Sequence, residues 1–140
     1  MVKQISVFIG AKPGQAYKPI KALGDANIDL CAVSIGDTID FGILRMITRD
    51  NDKAVSALKA AGFTVNLTDL IGVVVQNEPG GLANLLTVFE EECINIEYFY
   101  SFVPRKNEEA IMFFKVEEAS EALEKLKKHS VTLVDSLLEA

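Results

Sequence analysis

The chain carries one pattern twice. Ile5-Ser6-Val7-Phe8-Ile9 runs into Gly10-Ala11-Lys12-Pro13-Gly14, and 66 residues later Ile71-Gly72-Val73-Val74-Val75 runs into Gln76-Asn77-Glu78-Pro79-Gly80. Each apolar run is short and rich in β-branched residues, as strands are, and each Pro-Gly is followed by apolar residues at helical spacing. These are Ala16, Ile20 and Leu23 in the first copy and Leu82, Leu85, Leu86 and Phe89 in the second. Asn27-Ile28-Asp29-Leu30 then matches Asn95-Ile96-Glu97-Tyr98 at an offset of 68. Ala54-Val55 through Phe63-Thr64-Val65 matches Ala122-Leu123 through Val131-Thr132-Leu133 at the same offset. The two-residue drift is therefore placed within the first helix or at its end. Such a repeat within 140 residues calls for two small units rather than one medium domain.

Each copy reads strand, helix, strand, strand, helix, strand. In the first, strands are expected near 3–10, 28–36, 41–48 and 63–67, and helices near 15–26 and 52–61. In the second, strands are expected near 70–77, 95–103, 109–116 and 131–135, and helices near 81–92 and 118–129. Asp50, Asn51 and Asp52 offer N-caps to the second helix, and Gly62 is placed to follow its end. Pro19 falls in the first turn of its helix, where a missing N–H costs little. Gly36-Asp37 and Pro104-Arg105-Lys106-Asn107 supply the turns between the middle strands. The fold class is α+β: two ferredoxin-like βαββαβ units, antiparallel sheets with helices on one face, occupying residues 1–68 and 69–140.

Charge narrows the functions. The net charge is −6 with a single histidine, whereas a nucleic-acid binder needs a basic face to displace counterions from phosphate. Residues 1–68 hold 8 basic and 6 acidic residues, and residues 69–140 hold 6 basic and 14 acidic ones. No apolar run approaches the ~18–20 residues of a membrane span, and Met1-Val2-Lys3 leads straight into alternating sequence, so neither a membrane role nor a signal peptide is expected. Cys31 and Cys93 have no CxxC spacing and read as buried free thiols in a reducing, cytoplasmic setting.

The informative feature is the position of Pro-Gly, directly after the first strand and at the entrance of the first helix in both copies. Proline fixes φ before the turn, and glycine lets backbone N–H groups approach a ligand. The first-turn N–H groups of a helix lack intrahelical partners and lie at the positive end of its dipole, which suits a small carboxylate. Lys12 adds a cation beside the first loop. Asn77 adds an amide and Glu78 an acid beside the second, where the acid matches an ammonium group. Donors for a carboxylate near an acceptor for an ammonium fit an α-amino acid.

Asn77-Glu78-Pro79-Gly80-Gly81-Leu82, set between a Val-rich strand and an amphipathic helix and followed by Ile94-Asn95-Ile96, resembles the signature of ACT domains. The family's loop usually reads Asp-x-Pro-Gly-x-Leu. The second copy has Asn77 in place of Asp, and the first has Ala11 there and Ala16-Tyr17 in place of Leu. The resemblance spans nearly the whole chain as a tandem pair. It implies a regulatory, allosteric module that binds free amino acids, with the ligand held where a Pro-Gly loop faces the second strand of a paired unit. The implied ligand-binding residues are Lys12, Pro13, Gly14, Gln15 and Ala16, and Asn77, Glu78, Pro79, Gly80, Gly81 and Leu82. Asn27, Ile28, Asn95 and Ile96 would lie opposite them. A homodimer or a regulated enzyme is the implied protein partner. A large residue at Gly81 is then expected to block the ligand while altering stability by only ~1 kcal/mol.

Other classes fit less well. His129, in Lys127-Lys128-His129, is explained as a cation at a helix C-terminus, and with no second histidine there is no triad or His-based metal cluster. Glu108-Glu109 and Glu117-Glu118 sit at element ends, where solvation explains them. No catalytic residue, metal or cofactor is expected, so the chain reads as no enzyme. Tyr98-Phe99-Tyr100 and Phe113-Phe114 resemble stacking platforms of an RNA-recognition module, but Ala110 through Val116 lacks its basic-Gly-aromatic pattern, and core is the better account. A metal chaperone would need a CxxC in the first loop. The runner-up is a ligand-free protein–protein regulatory subunit of an amino-acid biosynthetic system.

Overall fold

A computed structural model describes residues 1–10, 12–37, 41–102 and 109–135. The element order is β1 (Val2–Gly10), α1 (Tyr17–Asp25), β2 (Leu30–Asp37), β3 (Phe41–Thr48), α2 (Asn51–Ala60), β4 (Val65–Gln76), α3 (Gly81–Glu91), β5 (Ile96–Phe102), β6 (Glu109–Val116), α4 (Ala119–Leu126) and β7 (Thr132–Val134). The chain divides into two compact units, one of residues 3–68 and one of residues 69–140 with Met1 and Val2. The α+β class and the βαββαβ order are those read from the repeat. One element differs: the strands expected at 63–67 and 70–77 are one strand, β4, of 12 residues. Nothing in Thr68-Asp69 breaks an extended chain, since neither is Gly or Pro, so the end of one copy continues into the start of the next. The expected Pro104-Arg105-Lys106-Asn107 turn, Glu108 and Ala11 lie outside the described residues.

In the first unit β3 lies between β1 and β2, antiparallel to both. In the second, β6 pairs with β4 and β5, and β7 pairs with the other edge of β4, all antiparallel. The registers correct the repeat alignment. Leu30 pairs with Thr48 and Ile96 with Val116, and a bulge follows at once in both strands. Leu30 and Ile96 are 66 apart and Thr48 and Val116 are 68 apart, so the two extra residues enter in the β5–β6 connection, not in the first helix. Asn95-Ile96 is therefore the counterpart of Asp29-Leu30, and Asn27-Ile28 is the counterpart of Cys93-Ile94.

Each unit has its own core. In the first, Ile5, Val7 and Ile9 of β1 alternate inward with Leu44 and Met46 of β3 and meet Leu23 of α1 and Leu58 of α2. In the second, Ile71, Val73 and Val75 of β4 do the same with Met112, Phe114 and Val116 of β6, against Leu85, Phe89 and Leu126. The ring centroids of Phe89 and Phe114 are 4.5 Å apart, and Phe113 and Phe114 are fully buried, so both serve as core rings. Full burial of such a side chain stabilises by about 1.5–3 kcal/mol.

Helix ends follow local chemistry. Asp50 caps α2, its Oδ1 accepting from Lys53 N–H at 3.1 Å. Three helices end in the same reversal: Ile28, Phe63 and Ile94 N–H donate to Leu23, Leu58 and Phe89 carbonyls, each at 2.9–3.0 Å. The residues that take positive φ there are Asn27, Gly62 and Cys93. His129, expected as a cation at the end of its helix, also lies with its Nε2 2.8 Å from Glu92 Oε1, tying the end of α4 to the end of α3.

Two outcomes are expected. Cys93, with φ of 54°, occupies a conformation that favours glycine, so Cys93→Gly should raise unfolding stability by up to about 1 kcal/mol in urea titrations. The His129 hydrogen bond holds the Glu92 carboxyl below the usual carboxylate range, with help from the charges on His129, Lys128 and Lys125 against a smaller opposing effect of burial. A lowered folded-state pKa gives stability that is present above about pH 4.3 and lost as pH falls further. Melting temperatures measured from pH 6 to pH 3 should therefore fall less steeply for Glu92→Gln than for the parent.

Candidate functional site

Both strand-to-helix entries are built on one turn. Gln15 N–H donates to Lys12 O at 3.3 Å, and Gly81 N–H donates to Glu78 O at 3.1 Å. Gly14 and Gly80 have φ of 86° and 88°, and Gly80 has ψ of −11°. Proline then glycine at the centre, with positive φ on the glycine, is a type II turn. Lys18 N–H bonds Gly14 O at 3.4 Å and Asn84 N–H bonds Gly80 O at 2.9 Å, so each turn feeds its helix without a linker. The first-turn N–H groups of α1 and α3 thus open at the turn.

In the first unit the turn borders a hollow of about 220 Å³ lined by Lys12, Gly14, Gln15 and Ala16, with Ile9 and Gly10 of β1, Ile35 of β2 and Gly42 of β3. Four of the five residues expected at the first loop line it; Pro13 is exposed in the turn. Ile35 is 58% exposed and gives the hollow an apolar wall that no motif had marked. Its strand register, opposite Leu44, is the signal that sets it on the core face beyond the helices. Gln15 leans over the α-carbon of Gly10, where a Cβ would stand 3.5 Å from its Cγ. Lys12 supplies the only cation among the described lining residues.

The second turn borders a larger hollow of about 390 Å³, between the end of β4, the α3 face bearing Asn84, Leu85 and Val88, and residues 130–132. Glu78 and Gly81 line it; Asn77, Pro79 and Gly80 are exposed and Leu82 packs on the core. Here the two copies exchange residues: glycine then glutamine at 10 and 15 becomes glutamine then glycine at 76 and 81. Glu78 N–H donates to Gln76 O at 2.9 Å, a tight three-residue bend that carries this carbonyl over Gly81. A Cβ at Gly81 would overlap the carbonyl oxygen of Gln76. The expectation that a large residue at Gly81 spares the fold is therefore corrected: the space that it needs is filled by backbone.

The remaining expected residues lie elsewhere within their own units. Asn27 and Cys93 are the reversal residues after α1 and α3, and Ile28 and Ile96 pack on the two cores. Asn95 lines a separate hollow of about 210 Å³ with Glu117, Glu118, Glu121 and Lys125, at the far end of α3 from the turn. The helix between them is about 16 Å long. The Asn27-Ile28 step is thus how the chain leaves α1, whereas α3 is left through Cys93-Ile94 and Asn95-Ile96 leads into β5.

Two units of βαββαβ order, each entering its first helix through Pro-Gly, define a duplicated α+β fold. Residues 1–137 match the family described as the ACT domain pair, and the chain belongs to that family. A Bacteroides thetaiotaomicron protein of known crystal structure is 37% identical, with 99% of this chain and 96% of that one covered and a TM-score of 0.88. The regulatory subunit of aspartate kinase from Thermus thermophilus, in its ligand-free form, has the same fold at 21% identity, with 91% of each chain covered and a TM-score of 0.64. Its Thermus flavus counterpart gives 22% identity, 90% of each chain and a TM-score of 0.58. The sequence matches none of the curated proteins. Among the described residues no helix is long and apolar enough to cross a membrane, and no group of three or more His, Cys, Asp or Glu is placed to hold a metal.

The two glycines of the second turn should respond differently to alanine. Gly80 has open space for a Cβ and positive φ, so Gly80→Ala should cost about 1–2 kcal/mol of strain. Gly81→Ala must move backbone and should cost more, about 3 kcal/mol, nearer the upper end of overpacking. Urea unfolding of both variants checks the order.

Proposed function

We propose that this ACT domain pair is a non-catalytic regulatory protein that binds a free amino acid, or a small molecule of that kind, at its Pro-Gly turns, with residues 1–68 and 69–140 as its two domains. One observation carries the reading: the same type II turn opens two matched helix N-termini, and in the first unit it borders a hollow that has a cation on one wall and Ile35 on another. The N–H groups after Gly14 receive the carboxylate, Lys12 neutralises it, and Ile35 meets the ligand's side chain. Gln15 and Ala16 complete that site. At the second turn the corresponding groups are Asn77, Glu78, Pro79, Gly80, Gly81 and Leu82. The fold shared with the aspartate kinase regulatory subunits supports a role in which the bound ligand is read by an enzyme partner or a second copy of the chain. A second reading, a protein-docking subunit without a ligand, draws on Val33 and Ile35, which are 49% and 58% exposed on β2.

A thermal-shift panel of the twenty amino acids separates them. At about 100 times its Kd, a bound amino acid should add about 2.7 kcal/mol of apparent stability. Lys12→Gln should weaken that ligand about tenfold, as expected for loss of one charged hydrogen bond, without changing the unliganded melting temperature. No shift with any amino acid would leave the docking reading in possession.

A further inference from the structure

Among their described lining residues, the hollows beside the two turns carry charge of opposite sign. The first has Lys12 and no acid among its described lining residues; the second has Glu78 and Glu109 and no lysine, arginine or histidine among its own. The second is also the larger, about 390 Å³ against about 220 Å³. Its size has a cause in the strand pairing. β7 reaches along β4 only to the Thr132–Val74 pair, so Val75 and Gln76 continue beyond it and a gap opens between α3 and residues 130–132. Leu85, Val88 and Val131 give that gap an apolar part beside the polar Asn84, Ser130 and Thr132, while its acids stand on the turn and on the first residue of β6. Gln76 Nε2 donates to Glu109 Oε1 at 3.4 Å, which orients that carboxylate from the strand end. A cleft of this size, part apolar and part polar, is within the range of small-molecule sites.

We propose that this second hollow binds a compound bearing an alkylammonium group, its cation held by Glu78 and Glu109 and its hydrocarbon part laid on Leu85, Val88 and Val131. The inference rests on the reading of the second turn as a ligand site and gives that site a ligand class. It makes the two copies unequal: the first receives the carboxylate end of a ligand beside Lys12, and the second selects a cation. A free diamine and the side chain of a basic amino acid share this chemistry, and they differ in whether a carboxylate is present for the N–H groups of α3.

Isothermal titration at about 0.15 M salt, where the screening length is ~8 Å, tests it with 1,5-diaminopentane, L-lysine and L-norleucine. The parent should bind diaminopentane or lysine saturably, and the double variant Glu78→Gln/Glu109→Gln should bind about tenfold more weakly. Both acids are exposed, so the double variant should keep the parent's circular dichroism and urea midpoint. Glu90→Gln/Glu91→Gln, which changes net charge equally on exposed positions at the other end of α3, should leave this binding unchanged. Lysine tighter than diaminopentane identifies a basic amino acid; the reverse identifies a free amine. The proposal is overturned if neither cation binds saturably, if the double variant binds as the parent does, or if the Glu90/Glu91 control loses as much. Norleucine separates the two readings: norleucine binding without either cation preserves the Pro-Gly turns as an amino-acid site and removes the cation site.

Discussion

A strand that passes straight into a helix must reverse direction within a few residues while leaving the first N–H groups of the helix uncovered. The type II turn at Lys12–Gln15 and Glu78–Gly81 meets that demand twice, because proline presets one dihedral and glycine accepts the positive φ that the next requires. Everything placed nearby depends on it. The turn sets where α1 and α3 begin, hence which of their faces meet the β1 and β4 cores, and it leaves donors at the end of each unit that borders the hollows lined by Lys12 and Glu78. A turn with a longer or looser path would lose the helix entrance and the hollow together.

The architecture was largely legible because alternation, helical spacing and turn residues agreed in both copies. β3 at 41–48 and β6 at 109–116 have the expected bounds because each is a hydrophobic run between turn residues. The failures have separate physical origins. β4 is continuous because strand breaks are signalled by Gly, Pro or a polar cluster, and Thr68-Asp69 is too weak a signal. The misplaced drift came from matching Asn-Ile by letter, whereas pairing registers follow backbone hydrogen bonds. Asn27 suits the positive φ of its helix exit, a conformation that Cys93 takes in the other copy under strain and without resembling it in sequence.

The site was less legible than the fold. Pro-Gly marked both turns, and Lys12, Gln15 and Glu78 were found from proximity in sequence. Ile35, Glu109 and Val131 come to the hollows through strand pairing across long chain separations, which no local pattern encodes. The Glu92–His129 contact, spanning 37 residues, escaped for the same reason. The crowding at Gly81 was invisible because it comes from a carbonyl, and carbonyls leave no mark in a sequence.

The exchange of glycine and glutamine between the two turns makes the duplication a one-way ratchet. Gln15→Gly removes a side chain from a position with space around it, so the first turn can be converted towards the second in one step. Gly81→Gln places a side chain into the carbonyl of Gln76, so the reverse conversion has no viable first step unless the bend at residues 76–78 is rebuilt beforehand. Averaging the two copies into a consensus unit, a common route to stabilised repeats, would therefore tolerate glycine on either turn's backbone but glutamine only on the first's.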